Sequence, residues 1–488
     1  MANTLRKDLG NIYTPTGIVR MMLDYGSYIA SDYIRGKHVI DNSCGDGRFL
    51  TEIVRRYIEA CKSSSSIPTD DEIRSELETY IHGVDIECSE CEKCVTNLNA
   101  VANEYGLGPV RWDVRCANSL TINDFDGKMD FVFGNPPYVR IHNMKESSES
   151  EDYDLFRGFK FSGKGMSDLY LAFFEIGFRM RNENGILCYI TPSGWFTSLS
   201  GEGLRRHVRD TMELSRVIDF GNEPVFEGVS TYVAVTVFER RPHGCIQYDR
   251  FESSDEYFRS VACIPYEDAF IDGKLYFGTR SELDLVRSVS SVKGRKVTVK
   301  NGYATLADNV FINNLPPLSM YVIDVLKAST GEWKKCLFPY DADMNPVSLD
   351  TIRDTASDVY DYIMENESTL KSRTYDETSE GYWHLLGRSQ GLNDTYKKKI
   401  AVNPMLRNES DIRLEEVPEG KGIYSGMYIL GDVSVSDVEC VLKDDKFVSY
   451  VRTLRKYKSG GYYTFSTKDL EKYLNYALSI GNNQRDLG

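Results

Sequence analysis

Nowhere does the chain approach the roughly 18 consecutive apolar residues that a membrane-spanning helix needs. Its first residues, Met1-Ala2-Asn3-Thr4-Leu5-Arg6-Lys7-Asp8, lack the apolar core of a secretory signal. Both absences predict a cytoplasmic protein with no membrane partner. The pattern of a disulfide framework is also missing: the 11 cysteines are odd in number and scattered along a long chain, which predicts reduced thiols. Cys88-x-x-Cys91-x-x-Cys94 has the spacing of part of an iron–sulfur ligand run, but the fourth cysteine followed by proline is absent. The three are read instead as small residues packing a helix, and no metal is expected. No repeat of solenoid period is visible.

Positive charge is in deficit. The chain has 58 Lys and Arg against 73 Asp and Glu, a net −15 that is unfavourable at first sight for a partner made of phosphates. The deficit is uneven: residues 291–488 hold 26 basic and 28 acidic side chains, so −13 of the net charge falls on residues 1–290. The near-neutral part carries the basic clusters Lys293-Gly294-Arg295-Lys296, Lys397-Lys398-Lys399 and Arg452-x-x-Arg455-Lys456-x-Lys458. Each cluster is either a solvated face or a phosphate contact.

With 41% hydrophobic residues, the 488-residue chain can bury the cores of two domains. Up to about residue 245, short apolar runs alternate with helical stretches, the pattern of a sheet covered by helices. Strands are expected at 38–40, 80–84, 129–133, 185–190, 217–220 and 232–238. A polar stretch at 62–71 reads as a surface insertion, and a second at 145–152 as a mobile loop. After 245 the alternation fades, a helical segment falls near 281–288, and the remainder is rich in Tyr, Gly and Asn. The expected domains are 1–245, a linker with a helical segment at 246–290, and 291–488.

The run Val39-Ile40-Asp41-Asn42-Ser43-Cys44-Gly45-Asp46-Gly47-Arg48-Phe49-Leu50 reads as a buried strand ending in an acid, a glycine turn and a helix. Gly45 and Gly47 let the backbone approach a ligand that a Cβ would exclude, and Asp41 can accept bonds from a ligand amine or hydroxyl. A tight strand-to-helix turn that binds nothing has the same pattern. The next strand ends in Gly83-Val84-Asp85-Ile86, where the acid can hold ribose hydroxyls and the isoleucine can cover an adenine ring.

The following strand runs into Gly134-Asn135-Pro136-Pro137-Tyr138-Val139-Arg140. The amino nitrogen of adenine is a poor nucleophile because its lone pair is delocalised into the ring. The Asn135 side-chain oxygen and the Pro136 carbonyl can accept its two hydrogens, favouring a tetrahedral nitrogen with a localised lone pair. Pro136 and Pro137 stiffen the turn, and Tyr138 offers a flat face to a base flipped out of a duplex.

On these motifs the chain resembles the gamma class of N6-adenine DNA methyltransferases of restriction–modification systems. The resemblance implies an α/β, Rossmann-like S-adenosylmethionine-dependent methyltransferase domain followed by an α+β target-recognition domain. It implies S-adenosylmethionine as cofactor and double-stranded DNA as substrate, and it admits a separately encoded restriction endonuclease as partner. Gly10-Asn11-Ile12-Tyr13-Thr14-Pro15 matches the family's first cofactor motif, which implies that Tyr13 and Thr14 hold the methionine end. Asp41, Gly45 and Gly47 match its glycine motif, Asp85 and Ile86 its ribose and adenine contacts, and Asn135, Pro136, Pro137 and Tyr138 its catalytic motif. Asp168-Leu169-Tyr170-x-x-Phe173 resembles the helix lining the target pocket. Pro224-Val225-Phe226 resembles the segment whose aromatic, here Phe226, packs on the flipped adenine from the other side. Where the family has an acid for the cofactor's adenine amino group, this chain has Asn118, whose oxygen can accept the same bond. Beyond residue 290 the resemblance rests on Asn301-Gly302-Tyr303-Ala304-Thr305-Leu306, Trp383-His384-Leu385-Leu386-Gly387-Arg388-Ser389 and Lys458-Ser459-Gly460-Gly461-Tyr462-Tyr463. There Arg388, Lys397, Lys398 and Lys458 are the candidate DNA contacts, while Trp383 and Tyr462 also suit a core.

Two other readings stay open. The same turn occurs in ribosomal-RNA and protein-glutamine amino methyltransferases, which usually lack a large C-terminal domain, and a silent DNA-binding subunit would keep the fold without the reaction. Cytosine-ring methylation is disfavoured because no Pro-Cys dipeptide occurs. A fused nuclease is not expected, since about ten residues precede the first cofactor motif.

Overall fold

The computed structural model describes residues 13–139, 150–162, 168–223, 225–226, 232–252, 257–373 and 382–485. Gly10, Asn11, Ile12, Arg140, Pro224 and the 145–149 part of the expected loop lie outside them; from Ser150 that stretch is helical. The chain divides into two compact units, Met1–Asp284 and Leu285–Gly488.

The first unit is built on a nine-stranded sheet in the order β3-β2-β1-β4-β5-β7-β6-β8-β9. Its strands are β1 (Val39–Asp41), β2 (Ile81–Asp85), β3 (Asp113–Cys116), β4 (Met129–Gly134), β5 (Arg181–Pro192), β6 (Leu214–Asp219), β7 (Val233–Glu239), β8 (Cys245–Glu252) and β9 (Tyr257–Pro265). β3, β2, β1, β4 and β5 pair in parallel, while β7 lies antiparallel between β5 and β6. β1 is VID and β4 MDFVFG, apolar runs buried along most of their length, as strands covered on both faces require. Helices α1 (Thr16–Tyr25), α2 (Arg48–Ser63) and α4 (Cys88–Glu104) bury Val19, Met22, Ile53, Tyr57 and Leu98 in the same core as Val39, Phe131 and Phe133. Chain order reverses between β1 and β4, the point at which open α/β sheets characteristically form a crevice outside the carboxyl ends of their strands.

The expected insertion at 62–71 is largely exposed and leads to helix α3 (Asp70–Tyr80), capped reciprocally by Thr69 and Glu72. Residues 246–290, read as a linker, hold all but the first residue of β8, all of β9, the hairpin β10 (Phe270–Ile271) and β11 (Lys274–Leu275), and all but the last residue of helix Arg280–Ser291. β8 joins the sheet because Ile246 and Tyr248 alternate into the core. The cysteine expectation is corrected at two places: Cys88 is bonded to Cys116 and Cys245 to Cys263. Register accounts for both, since Cys116 lies opposite Asp85, three residues before Cys88, and the other pair sits on adjacent antiparallel strands. Cys91 and Cys94 are buried free thiols on α4.

Among its described residues the second unit holds three small sheets and a closing helix, Thr467–Arg485. One sheet runs β12-β19-β15-β17 (Val297–Asn301, Met427–Gly431, Lys399–Val402, Leu414–Val417). A second pairs β14-β13-β18 (Glu332–Leu337, Val322–Lys327, Gly422–Tyr424), and the third pairs β16-β21-β20 (Met405–Leu406, Tyr462–Thr464, Tyr457–Lys458). Trp383 is buried in a cluster with Phe311, Phe338 and Tyr340. No helix among the described residues is long and apolar enough to cross a membrane.

Candidate cofactor and base-binding site

Because β1, β2 and β4 are parallel and in register, their carboxyl ends bring Asp41, Asp85 and Gly134-Asn135 to one edge of the sheet. Asp41 is 1% exposed and its Oδ1 accepts from Ser43 N at 3.0 Å. Burial pushes its carboxyl up to about 8; the bond from Ser43 opposes this and the charge of Asp85 adds to it. A Cβ on Gly134 would stand 2.8 Å from Asp41 Oδ1, so only glycine lets the strand carrying Asn135 lie this close to the acid.

The glycine turn leaves β1 with left-handed backbone at Gly45 (φ 51°) and Gly47 (φ 88°). Asp85 holds it: Oδ2 accepts from Gly45 N at 2.8 Å and Oδ1 from Glu87 N at 2.9 Å. Burial raises the Asp85 carboxyl above its usual range, against these two bonds. Asp85 therefore fastens the glycine turn to the start of α4. Next to it Ile86 is 55% exposed, an apolar side chain standing in the open at a strand end. The amide of Ala117 donates to Asp85 O at 2.9 Å, which seats Asn118 beside this edge. Asn118 Oδ1 accepts from Leu120 N at 2.9 Å, so part of its acceptor capacity already closes its own turn. Tyr13 donates its hydroxyl to Glu90 on α4 at 3.3 Å, and the Arg48 guanidinium lies over its ring at 5.3 Å; Thr14 is buried.

Asn135, Pro137 and Tyr138 are half-buried and Pro136 is buried. The Tyr138 hydroxyl donates to Ile190 O on β5 at 3.2 Å, and Leu169 N donates to Val139 O at 2.8 Å, which fixes the turn from both sides. Tyr138 meets Tyr170 edge-on at 6.4 Å and Phe226 at 6.2 Å with the planes 60° apart. The two rings expected to hold a base thus touch each other. A base stacked on both needs parallel faces on either side, so one ring must turn to admit it.

Sequence reasoning passed over Asn42. It is 1% exposed, its Oδ1 accepts from Tyr189 OH at 2.8 Å and its carbonyl from Ser119 Oγ at 2.6 Å, which binds the loop after β1 to β5 and to the Asn118 segment. Its only sequence signal is a polar residue directly after a buried strand. Among the described residues no group of three or more His, Cys, Asp or Glu is placed to hold a metal ion.

The residues singled out in the second unit separate. Arg388 and Lys458 are exposed. Lys397 pairs with Asp394 at 2.8 Å and Lys398 with Glu416 at 2.9 Å, while Lys399 is buried and donates to three backbone carbonyls. The triple-lysine run is therefore mostly matched by its own neighbours. Tyr462 is half-buried with the Arg407 guanidinium 4.6 Å from its ring centre.

Residues 57–226, which include the ends of β2 and β4, match the family described as Eco57I restriction-modification methylase. Over those residues the chain is similar to these methylases. It is 25% identical over 252 residues to the Type II methyltransferase M.PaeR7I of Pseudomonas aeruginosa, covering 50% of this chain and 43% of that protein. With the Type II restriction enzyme and methyltransferase RM.Eco57I of Escherichia coli it shares 22% over 365 residues, 62% of this chain and 36% of the relative. The matches thus span less than half of these relatives' length. Among solved structures, the Type IIL restriction-modification enzyme MmeI in complex with DNA superposes with a TM-score of 0.62 at 13% identity, over 98% of this chain and 75% of that one. The ATP-dependent Type ISP enzyme LlaBIII bound to DNA gives 0.51 at 11%, over 86% and 33%. These likenesses bear on fold alone: an α/β architecture around a large central sheet, shared with those restriction–modification enzymes.

Proposed function

We propose that the chain methylates the N6 amino group of adenine at a specific site in double-stranded DNA, with S-adenosylmethionine as donor. The observation that carries this reading is the Asn135-Pro136-Pro137-Tyr138 turn, held at the end of β4 directly beside the buried Asp41. The residues fit the cofactor: Gly45 has nothing within 4 Å of a built Cβ, so backbone is open to a close-lying ligand, and Asp85 and exposed Ile86 offer polar and apolar contacts side by side. Tyr13, Thr14, Asp41, Gly47 and Asn118 complete the set that would hold it. Bound there, it supplies an electrophilic methyl group on a sulfonium. The protein's part is to hold the base by Tyr138, to accept the amino hydrogens at Asn135 Oδ1 and the Pro136 carbonyl, and to exclude water from the crevice. We place target recognition in residues 291–488, with exposed Arg388 and Lys458 as the better candidate contacts and paired Lys397 and Lys398 as weaker ones. The reading suits a cytoplasmic enzyme that works with or without a separate endonuclease.

Transfer of radiolabelled methyl to duplex DNA, followed by hydrolysis to nucleosides, tests this. N6-methyladenine is the expected product; label in RNA or protein only, or none at all, would reject it.

Two results should follow at the cofactor site. Asp85→Ala removes the acceptor that fastens the glycine turn and should weaken S-adenosylmethionine binding by about 1–3 kcal/mol, the cost of leaving partners unpaired. Asp85→Asn, which keeps one oxygen, should lose less; calorimetry showing wild-type affinity for Asp85→Ala would move the cofactor elsewhere. The second concerns pH. An unfolded aspartate titrates near ~3.9. The fold thus favours neutral Asp41, a contribution complete below that pH and lost as the pH rises through about 8. A cationic ligand has the opposite preference, so affinity should climb between pH 6 and 8 and flatten above. Asp41→Asn should bind more weakly with a flat profile, and a flat wild-type profile would remove Asp41 from the site.

A further inference from the structure

The first unit must meet a polyanion although residues 1–290 carry −13. At that excess a duplex is repelled at long range, and contact requires cations gathered locally. One cleft of about 590 Å³ gathers them. Its walls are the segment after β5, helix α7 (Glu202–Thr211) and the β10–β11 hairpin. Arg205 is 5% exposed and joins all three, donating to Trp195 O at 2.6 Å, Ser198 O at 2.7 Å and Gly273 O at 2.8 Å. Arg206, Arg209 and Lys274 line the same cleft, against the carboxylates of Glu202 and Asp272. Arg206 is paired with Glu202 at 3.1 Å and Arg209 with Asp210 at 3.1 Å, with both arginines more than half exposed. Exposed pairs of this kind hold by about 0–1 kcal/mol, so a phosphate can draw the guanidinium away. The cleft opens just past the end of β5, the strand whose Ile190 carbonyl anchors Tyr138.

We propose that this cleft seats the sugar–phosphate backbone of the duplex undergoing methylation, with Arg206, Arg209 and Lys274 as phosphate contacts; this rests on the DNA reading above. Arg205 sets the walls and the other three meet the strand, so the methyltransferase unit contributes its own non-specific affinity.

Binding of the full chain to cognate and unrelated duplexes, followed by fluorescence anisotropy across a salt series, tests it. Each lost phosphate contact lowers the slope of log K against log salt by about 0.9, so Arg206→Gln/Arg209→Gln should lower it by about 2 and Lys274→Gln by about 1, alike on both duplexes. Cofactor affinity, and kcat at saturating DNA, should stay within about twofold, because phosphate contacts position without reading bases. Arg111→Gln/Arg241→Gln makes the same change in net charge away from the cleft and should leave the slope unaltered. An unchanged slope in the cleft variants, or an equal fall in the control, overturns the proposal. So does loss of inorganic pyrophosphate binding without any change on duplex, which would mark a small-anion site. If the wild-type chain transfers no methyl to DNA at all, the DNA reading itself has failed, a result distinct from these.

Discussion

Asn135→Ala should lower methyl transfer by roughly 10²-fold or more while cofactor and DNA affinity change little, because the lost acceptor matters most as the amino nitrogen becomes tetrahedral. Asn135 sits one residue past Gly134, where an added Cβ would collide with the Asp41 carboxylate, so its position is set by the strand and not by the side chain it carries. The truncation should therefore leave the turn in place. Tyr138→Ala should behave differently. It removes a stacking face worth about 1–3 kcal/mol per base, and it cuts the tie to Ile190 O on β5. Phe226, already against Tyr138 at 6.2 Å, can supply part of the lost face, so some activity should remain. Tyr138→Phe keeps the face, loses only the tie and should lie close to wild type. Once the modified site is known, a fluorescent purine analogue at the target position separates the two roles. It should be bright with Asn135→Ala, where the base leaves the stack but does not react, and dimmer with Tyr138→Ala. Wild-type transfer by Asn135→Ala would reject the proposed chemistry and reopen the RNA and protein readings.

Much of the arrangement of these candidate residues is legible in the sequence, and the reason is local. Asp41, Asp85 and Asn135 each close a short apolar run, and a parallel sheet necessarily brings the carboxyl ends of such runs to one edge. The glycines and prolines beside them declare their turns by chemistry that acts within a few residues. What escaped was decided by partners distant in sequence. β3 reads as Asp113-Val114-Arg115-Cys116, too polar to announce a strand, and is one only because β2 lies beside it. The bonding of Cys88 to Cys116 depends on that same pairing. The β8 alternation is present in Cys245-Ile246-Gln247-Tyr248, but two-residue periodicity over so short a run does not separate a strand from a linker. Nor could spacing show that Lys398 meets Glu416, since a charge run carries no record of what folds opposite it.

Gly45→Ala and Gly47→Ala should separate ligand binding from folding, although both residues lie in one turn with left-handed backbone. At Gly47 a Cβ would stand 2.7 Å from Cys94 Sγ and 3.3 Å from its Cα, against a cysteine with no exposure. The left-handed conformation costs an L-residue about 1–2 kcal/mol and forcing atoms into a packed core about 1–3 more, so Gly47→Ala should lose about 2–5 kcal/mol of stability. At Gly45 nothing lies within 4 Å of the built Cβ. The same substitution there meets only the backbone penalty, about 1–2 kcal/mol, and the protein should stay folded. If that open space is where the cofactor approaches the backbone, the methyl group collides with ligand alone, and affinity should fall by at least about tenfold, or ~1.4 kcal/mol. Thermal unfolding without ligand, with calorimetry alongside, measures both quantities on each variant. The expected outcome is a large drop in Tm for Gly47→Ala, and for Gly45→Ala a small drop with most of the binding gone. Full cofactor affinity in a folded Gly45→Ala protein would mean that the space serves only the turn, and that the ligand lies further along the edge, toward Asp85 and Ile86.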